Sequence, residues 1–170
     1  EKEPGLVPET KIKVQAGIYD APKRKSMKWW GPDSSQRFNP LNQQIEFFRS
    51  QMFKKTGYTI STVFYNDQGY RQGETETRGR VSGTLYFRPV KIERLKAGIS
   101  FNYQYHKTGS FIIWQHADQG YTPSGGADTA NPASTLTYNI ANRLFIDPYI
   151  KYIDRFKNKH TFKSRAYLTT

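Results

Sequence analysis

Four basic residues fall at alternate positions of two neighbouring stretches: Arg78, Arg80 and Arg88 in the first, Lys96 in the second. In extended backbone every second side chain points to the same side. The four cations are therefore expected to share one polar face. Such a face attracts an anionic ligand or contacts a neighbouring domain. It serves equally as a solvated wall whose charges pair with acids elsewhere. Aromatic residues form the second constellation. Trp29, Trp30, Trp114 and Tyr121 lie in segments of loop composition. Rings in loops stack on a sugar or another flat ligand; they also pack loops together or anchor an interface.

Other chemistry is thinly represented. His106 and His116 lack an evident third ligand, so no metal and no cofactor is expected. Asp67, Glu74 and Glu76 form an acidic cluster near a turn, without a paired base or nucleophile, and no enzyme activity is expected from them. The chain has no cysteine, which excludes a disulfide framework and Cys-based zinc sites. Lys+Arg of 26 against Asp+Glu of 14 gives a net charge of +12. A basic, aromatic chain is a flag for nucleic-acid binding. Here the cations are spread over turns, loops and one face, and the densest run, Lys23-Arg24-Lys25, lies in a long loop. No nucleic-acid partner is expected.

The elements that must position these residues are strands. Aromatics make up 15% of the chain, which argues against disorder despite a hydrophobic share of only 36%. Period-2 alternation is common and helical periodicity scarce. The clearest run is 95–106: Leu95, Ala97, Ile99, Phe101, Tyr103 and Tyr105 point one way, and Lys96, Gly98, Ser100, Asn102, Gln104 and His106 the other. Its length fits a tilted strand crossing a bilayer, which needs about 9–11 residues. Similar patterns place strands at 11–19, 44–54, 57–65, 76–88, 143–154 and 160–169. The stretch 44–54 is the least regular, because Phe47 and Phe48 break the alternation. Pro148 inside 143–154 predicts a bulge or kink. The links alternate in length. Those at 20–43, 66–75 and 107–142 are long; the others are tight or short. In an up-and-down meander this puts every long loop at one end, as in outer-membrane barrels. The fold class expected is all-β: an antiparallel up-and-down meander of about seven strands, part of a transmembrane β-barrel, over 1–170.

Particular segments add a resemblance. Glu3-Pro4-Gly5-Leu6, Pro8-Glu9-Thr10 and Gly17-Ile18-Tyr19 resemble the junction where the plug of a TonB-dependent outer-membrane receptor passes into its first barrel strand, in the large Bacteroidetes type. The segment 67–74 with Arg78-Gly79-Arg80 is similar to the next landmark. Gly109-Ser110-Phe111 with Trp114, and 146–150 with His160, resemble later ones. The similarity covers nearly the whole chain but only the first part of such a barrel, which has roughly 22 strands around a plugged lumen. It implies a cell outer-membrane location and uptake of a bulky nutrient, such as a glycan or siderophore. The partners it implies are the rest of the barrel and the plug domain, the TonB energy-transducing complex acting through an N-terminal part, outer-membrane lipid with lipopolysaccharide, and a surface lipoprotein. The chain itself would supply barrel wall and outer loops.

Two other readings of the residues stand beside this one. A soluble β-sandwich module could bind carbohydrate through the loop tryptophans, with shorter strands and less lopsided connections. A structural strand segment of a multi-chain envelope assembly would draw its missing strands from neighbouring chains.

Overall fold

Alternation becomes a ladder. The computed structural model describes residues 7–89, 92 and 94–170. The strands are β1 (Glu9–Ile18), β2 (Leu41–Phe53), β3 (Thr56–Asp67), β4 (Glu76–Phe87), β5 (Leu95–Ser110), β6 (Thr137–Ile153), β7 (Lys159–Lys163) and β8 (Ala166–Thr169). Each pairs antiparallel with its sequence neighbour in a single sheet, except that β8 pairs with β6 beside β7. The meander is therefore all-β and up-and-down. Its first and last strands have one paired side each among the described residues, so the sheet is not closed.

β7 and β8 are one line of strand with a gap. Lys163 faces Tyr149 and Ala166 faces Ile146, so the register runs on unchanged across Ser164 and Arg165. Opposite the gap stands Pro148, which has no N–H to give. Ser164 N still donates to the Pro148 carbonyl at 3.1 Å. On the other side, Ile99 faces Pro148 within an unbroken β5–β6 register. The bulge expected at Pro148 is absent: the proline removes a hydrogen bond without inserting a residue.

Register assigns each side chain to a face. Ile12, Val14, Ile45, Phe47, Ile60, Phe64, Val81, Leu85, Ile99, Phe101, Leu144 and Ile146 share one. Many of these remain open, Ile12 at 69% and Ile99 at 43%. The irregularity at Phe47-Phe48 is only apparent: Phe47 joins the apolar face and Phe48 the other, within continuous β2. Tyr103 and Tyr105 border the apolar face near one end, and Phe53, Tyr58, Phe87 and Tyr152 near the other. The opposite face carries charged, amide and hydroxyl side chains.

Aromatic rings lie over glycines at several crossings. A side chain on Gly57 would meet the Tyr86 ring at 2.5 Å, one on Gly98 the Tyr149 ring at 2.5 Å, and one on Gly83 the Phe101 ring at 2.7 Å. These glycines leave room for a ring from the paired strand, which fixes register.

The long connections, 19–40, 68–75 and 111–136, all leave one end of the sheet. The other end carries the Lys54-Lys55 turn, the 88–94 link and the 154–158 turn. Some strands run further toward the loop end than alternation indicates. β5 continues to Ser110, and β6 begins at Thr137 rather than 143. The segment Glu3-Pro4-Gly5-Leu6 and part of the 88–94 link lie outside the described residues.

Candidate functional site: the polar face and the loop tier

β4 and β5 put the expected cations on the polar face but not in one patch. Arg80 and Arg88 are separated by roughly 26 Å of strand, at about 3.3 Å per residue. Arg88 and Lys96 stand at the turn end. The Lys96 ammonium is 4.1 Å from the centre of the Tyr86 ring and the Arg88 guanidinium 5.8 Å from it. Tyr86 is buried, and these two cations cover it.

Arg78 and Arg80 stand near the loop end. Glu76 accepts a hydrogen bond from Arg78 and lies 2.9 Å from His106 Nε2. The Arg78 guanidinium also sits 5.4 Å from the Tyr65 ring. Glu46 is held by Lys13 at 3.2 Å and by the Gln44 amide. The local acids are thus engaged. Arg80 and Arg143 have neither a hydrogen bond nor an ion pair among the described residues. Both line a cleft of about 430 Å³ with Gln104 and with Glu46, whose carboxylate also feels the Arg80 charge. Register explains the grouping: Arg80 faces Gln104 across β4–β5, and Gln104 faces Arg143 across β5–β6. Arg143 was not among the residues singled out from sequence. Its signal was available only once β6 was laid against β5.

Between the two cationic ends runs a neutral band. Thr59, Ser61, Ser82, Thr84, Ser100 and Asn102 line a cleft of about 500 Å³ there. Thr84 and Ser100 hydroxyls are 3.0 Å apart, and Arg165 grips Asp147 at 2.8 and 2.9 Å. The groups on this face are guanidinium forks, hydroxyls and carboxamides, which suit anions and hydroxyl-rich solutes.

The loops fold onto one another above the sheet, around Tyr70. Its ring centre is 5.7 Å from that of Tyr19, 6.2 Å from Trp30 and 4.9 Å from Tyr121. Trp29 meets Trp30 edge-on at 5.6 Å, and its indole N–H donates to the Tyr70 carbonyl at 2.9 Å. Trp30 is 3% exposed and donates to Asn39. Three of the four expected loop aromatics, Trp29, Trp30 and Tyr121, therefore come together as packing between the first, second and third long loops. Trp114 stands apart, half exposed, and bridges Pro123 in a small hairpin of the third loop. Beside it, Phe111 and Leu136 are buried, whereas Ile112 and Ile113 face outward. Arg71 stacks on Phe111 at 4.0 Å and pairs with Glu74 at 2.9 Å. Sequence reasoning missed Tyr70, the hub, because nothing local marks which loops will meet.

The acidic cluster has structural work. Asp67 accepts from the hydroxyls of Tyr19 at 2.8 Å and Tyr65 at 2.9 Å, and from Gly69 N at 2.8 Å. Burial pushes the Tyr19 phenol above its ordinary pKa, and the bond to Asp67 adds to the shift. Tyr70 moves the same way, first through desolvation and then through Tyr121. His116 stands apart from His106, at the start of the 3-10 turn Ala117–Gln119. Among the described residues no three His, Asp or Glu side chains are grouped to hold a metal ion. No protein-family profile, curated protein or solved structure matches the chain.

Proposed function

We propose that this chain is wall and outer loops of a transmembrane β-barrel of the outer membrane, in a receptor of the TonB-dependent kind that takes up a bulky nutrient. The observation that carries the reading is the apolar face. Its large side chains run across every strand, and no second layer of the described residues covers them. Water would oppose such a face; monomeric soluble proteins rarely expose contiguous apolar patches above a few hundred Å². Lipid favours it. A soluble sandwich would need a second sheet over these residues, and the described strands lie in one.

The dimensions support the same reading. Leu95 to Tyr105 spans roughly 33 Å along β5, which at a tilt of about 40° is roughly 25 Å of height, the depth of the apolar band of outer-membrane barrels. Tyrosines and phenylalanines bordering it at both ends suit the two interfaces. The polar face then turns to the lumen and the packed loops to the outside. Open ladders are not tolerated in lipid, so in this reading further strands pair with β1 and β8.

The test of the transport reading is genetic. Deleting the gene should abolish growth on one class of polymeric glycan or chelated nutrient. Growth should return with the gene, but not in a strain lacking the energy-transducing complex. Restoration that ignores the transducer would overturn the TonB-dependent reading while leaving the barrel in place.

A further inference from the structure

We infer that Arg80, Gln104 and Arg143 form an anion-selecting site on the lumen wall that takes a carboxylate-bearing solute. The inference rests on the barrel reading above, since it needs the polar face to line a passage. The three residues occupy one row across β4, β5 and β6. Adjacent strands lie about 4.8 Å apart, so the two arginine backbones flank Gln104 at a separation of roughly 10 Å. Each guanidinium presents a planar fork that matches a carboxylate. Gln104, between them, offers both a donor and an acceptor to a neighbouring hydroxyl.

What distinguishes this row is the state of its neighbours. Arg78, one step nearer the loops, already has Glu76 and the Tyr65 ring. Glu46 has Lys13 and Gln44. Arg165, further along, has Asp147. Among the described residues Arg80 and Arg143 donate no hydrogen bond and form no ion pair; the Arg80 charge acts on the Glu46 carboxylate of the same cleft, which Lys13 and Gln44 already bond. Both are exposed, so a solute reaches them without displacing a packed group. The aromatic loop tier lies at the same end of the sheet, which puts the row just inside the loop-side mouth.

The test uses the whole receptor in detergent and two probes with the same sugar chain, one charged and one neutral: an oligogalacturonide trimer and its fully methyl-esterified form. Binding is read by calorimetry at low and at high salt. The acid should bind more tightly than the ester, and its advantage should shrink with salt, because charge attraction between exposed groups is screened. Arg80→Gln and Arg143→Gln should each weaken the acid about tenfold or more, as loss of a hydrogen bond to a charged group does. Arg88→Gln, at the far end of the face, should not. Equal binding of acid and ester would overturn the site, as would an acid affinity unchanged in the Arg80→Gln/Arg143→Gln double variant. A double variant that melts earlier but binds as before would also overturn it, showing that these arginines hold an internal acid of the receptor. Fractionation of the variants into the outer membrane separates either failure from failure of the barrel reading.

Discussion

Placing a cation on the apolar face should be costly in proportion to its depth. Ile99 is the informative position. If the lipid-facing part of β5 runs from Leu95 to Tyr105, Ile99 lies within roughly 3 Å of the middle of a band about 25 Å high. Arginine at the bilayer midplane of a barrel costs about 2–4 kcal/mol, falling to about 0–1 kcal/mol near the interfaces. Ile99→Arg should therefore destabilise by about 2–4 kcal/mol and Tyr105→Arg by no more than about 1 kcal/mol. Asn102→Arg, on the opposite face, should cost less than about 1 kcal/mol, because arginines already stand in that row's neighbourhood and face water. The assay is reversible guanidinium unfolding of the whole protein in lipid vesicles, followed by tryptophan fluorescence. The ordering Ile99 above Tyr105 and Asn102 is the content of the expectation. Equal costs at the three positions, or a larger cost at Asn102, would refute the assignment of faces.

Gly57→Ala should destabilise by about 1–3 kcal/mol, since its new carbon would strike the buried Tyr86 ring at 2.5 Å; thermal unfolding checks this, and Tyr86→Ala in the same chain should recover part of the loss. The 154–158 turn should loosen in acid. Asp154 is held down to about 2, first by its bond with His160 and further by Asn158 and Phe156. Its folded value lies below its unfolded one, so the contribution is present above about pH 4 and disappears as pH falls toward 2. Amide exchange at Phe156 and Asn158 should show that acid-dependent opening, and Asp154→Asn should remove the dependence. Tyr70→Ala should expose the 19–40 loop to limited proteolysis while leaving the thermal unfolding of the sheet within about 1 kcal/mol of the original, because the ring packs loops and not strands.

Much of the sheet was legible because its two faces differ in polarity. The alternation at 95–106, and its echoes elsewhere, identified seven lines of strand and the end that bears the long loops. Alternation under-reported strand length for a physical reason. Above Tyr105 the ladder continues through Lys107 and Gly109 to Ser110, paired with Ile140, Tyr138 and Thr137. There Lys107 and Gly109 occupy the face that apolar side chains fill from Leu95 to Tyr105, so the pattern fades while the hydrogen bonds persist. Periodicity reads the surroundings of a strand rather than its extent. Pro148 was legible as a disturbance, but its outcome depended on the partner strand, where Ser164 and Arg165 absorb the missing bond without a shift of register. The glycines at 57, 83 and 98 carried no local signal, since each is explained by a ring arriving from another strand.

The candidate site was legible only in part. Parity placed Arg78, Arg80, Arg88 and Lys96 on a common face. It could not show that Arg88 and Lys96 cover Tyr86 while Arg80 shares a row with Arg143 across Gln104. That required the register of β6. The loop aromatics were equally ambiguous, since ligand stacking and loop packing use the same residues. Trp30 is closed in by neighbours, and Trp114 is open. The difference arises from contacts among three loops distant in sequence.

The central claim is that one face of this sheet meets lipid and the other water. Single cysteines placed in turn at positions 96 to 105 of the whole protein, spin-labelled in native-like bilayers, test it most directly. Relaxation by lipid-soluble oxygen and by a water-soluble nickel chelate gives the surroundings of each position. Oxygen access should peak at Ala97, Ile99, Phe101 and Tyr103, and chelate access at Lys96, Asn102 and Gln104; Gly98, under the Tyr149 ring, and the buried Ser100 are left out of the comparison. Uniform access along the strand, or low access to both agents at Ile99 and Phe101 as in a dry protein core, would contradict it.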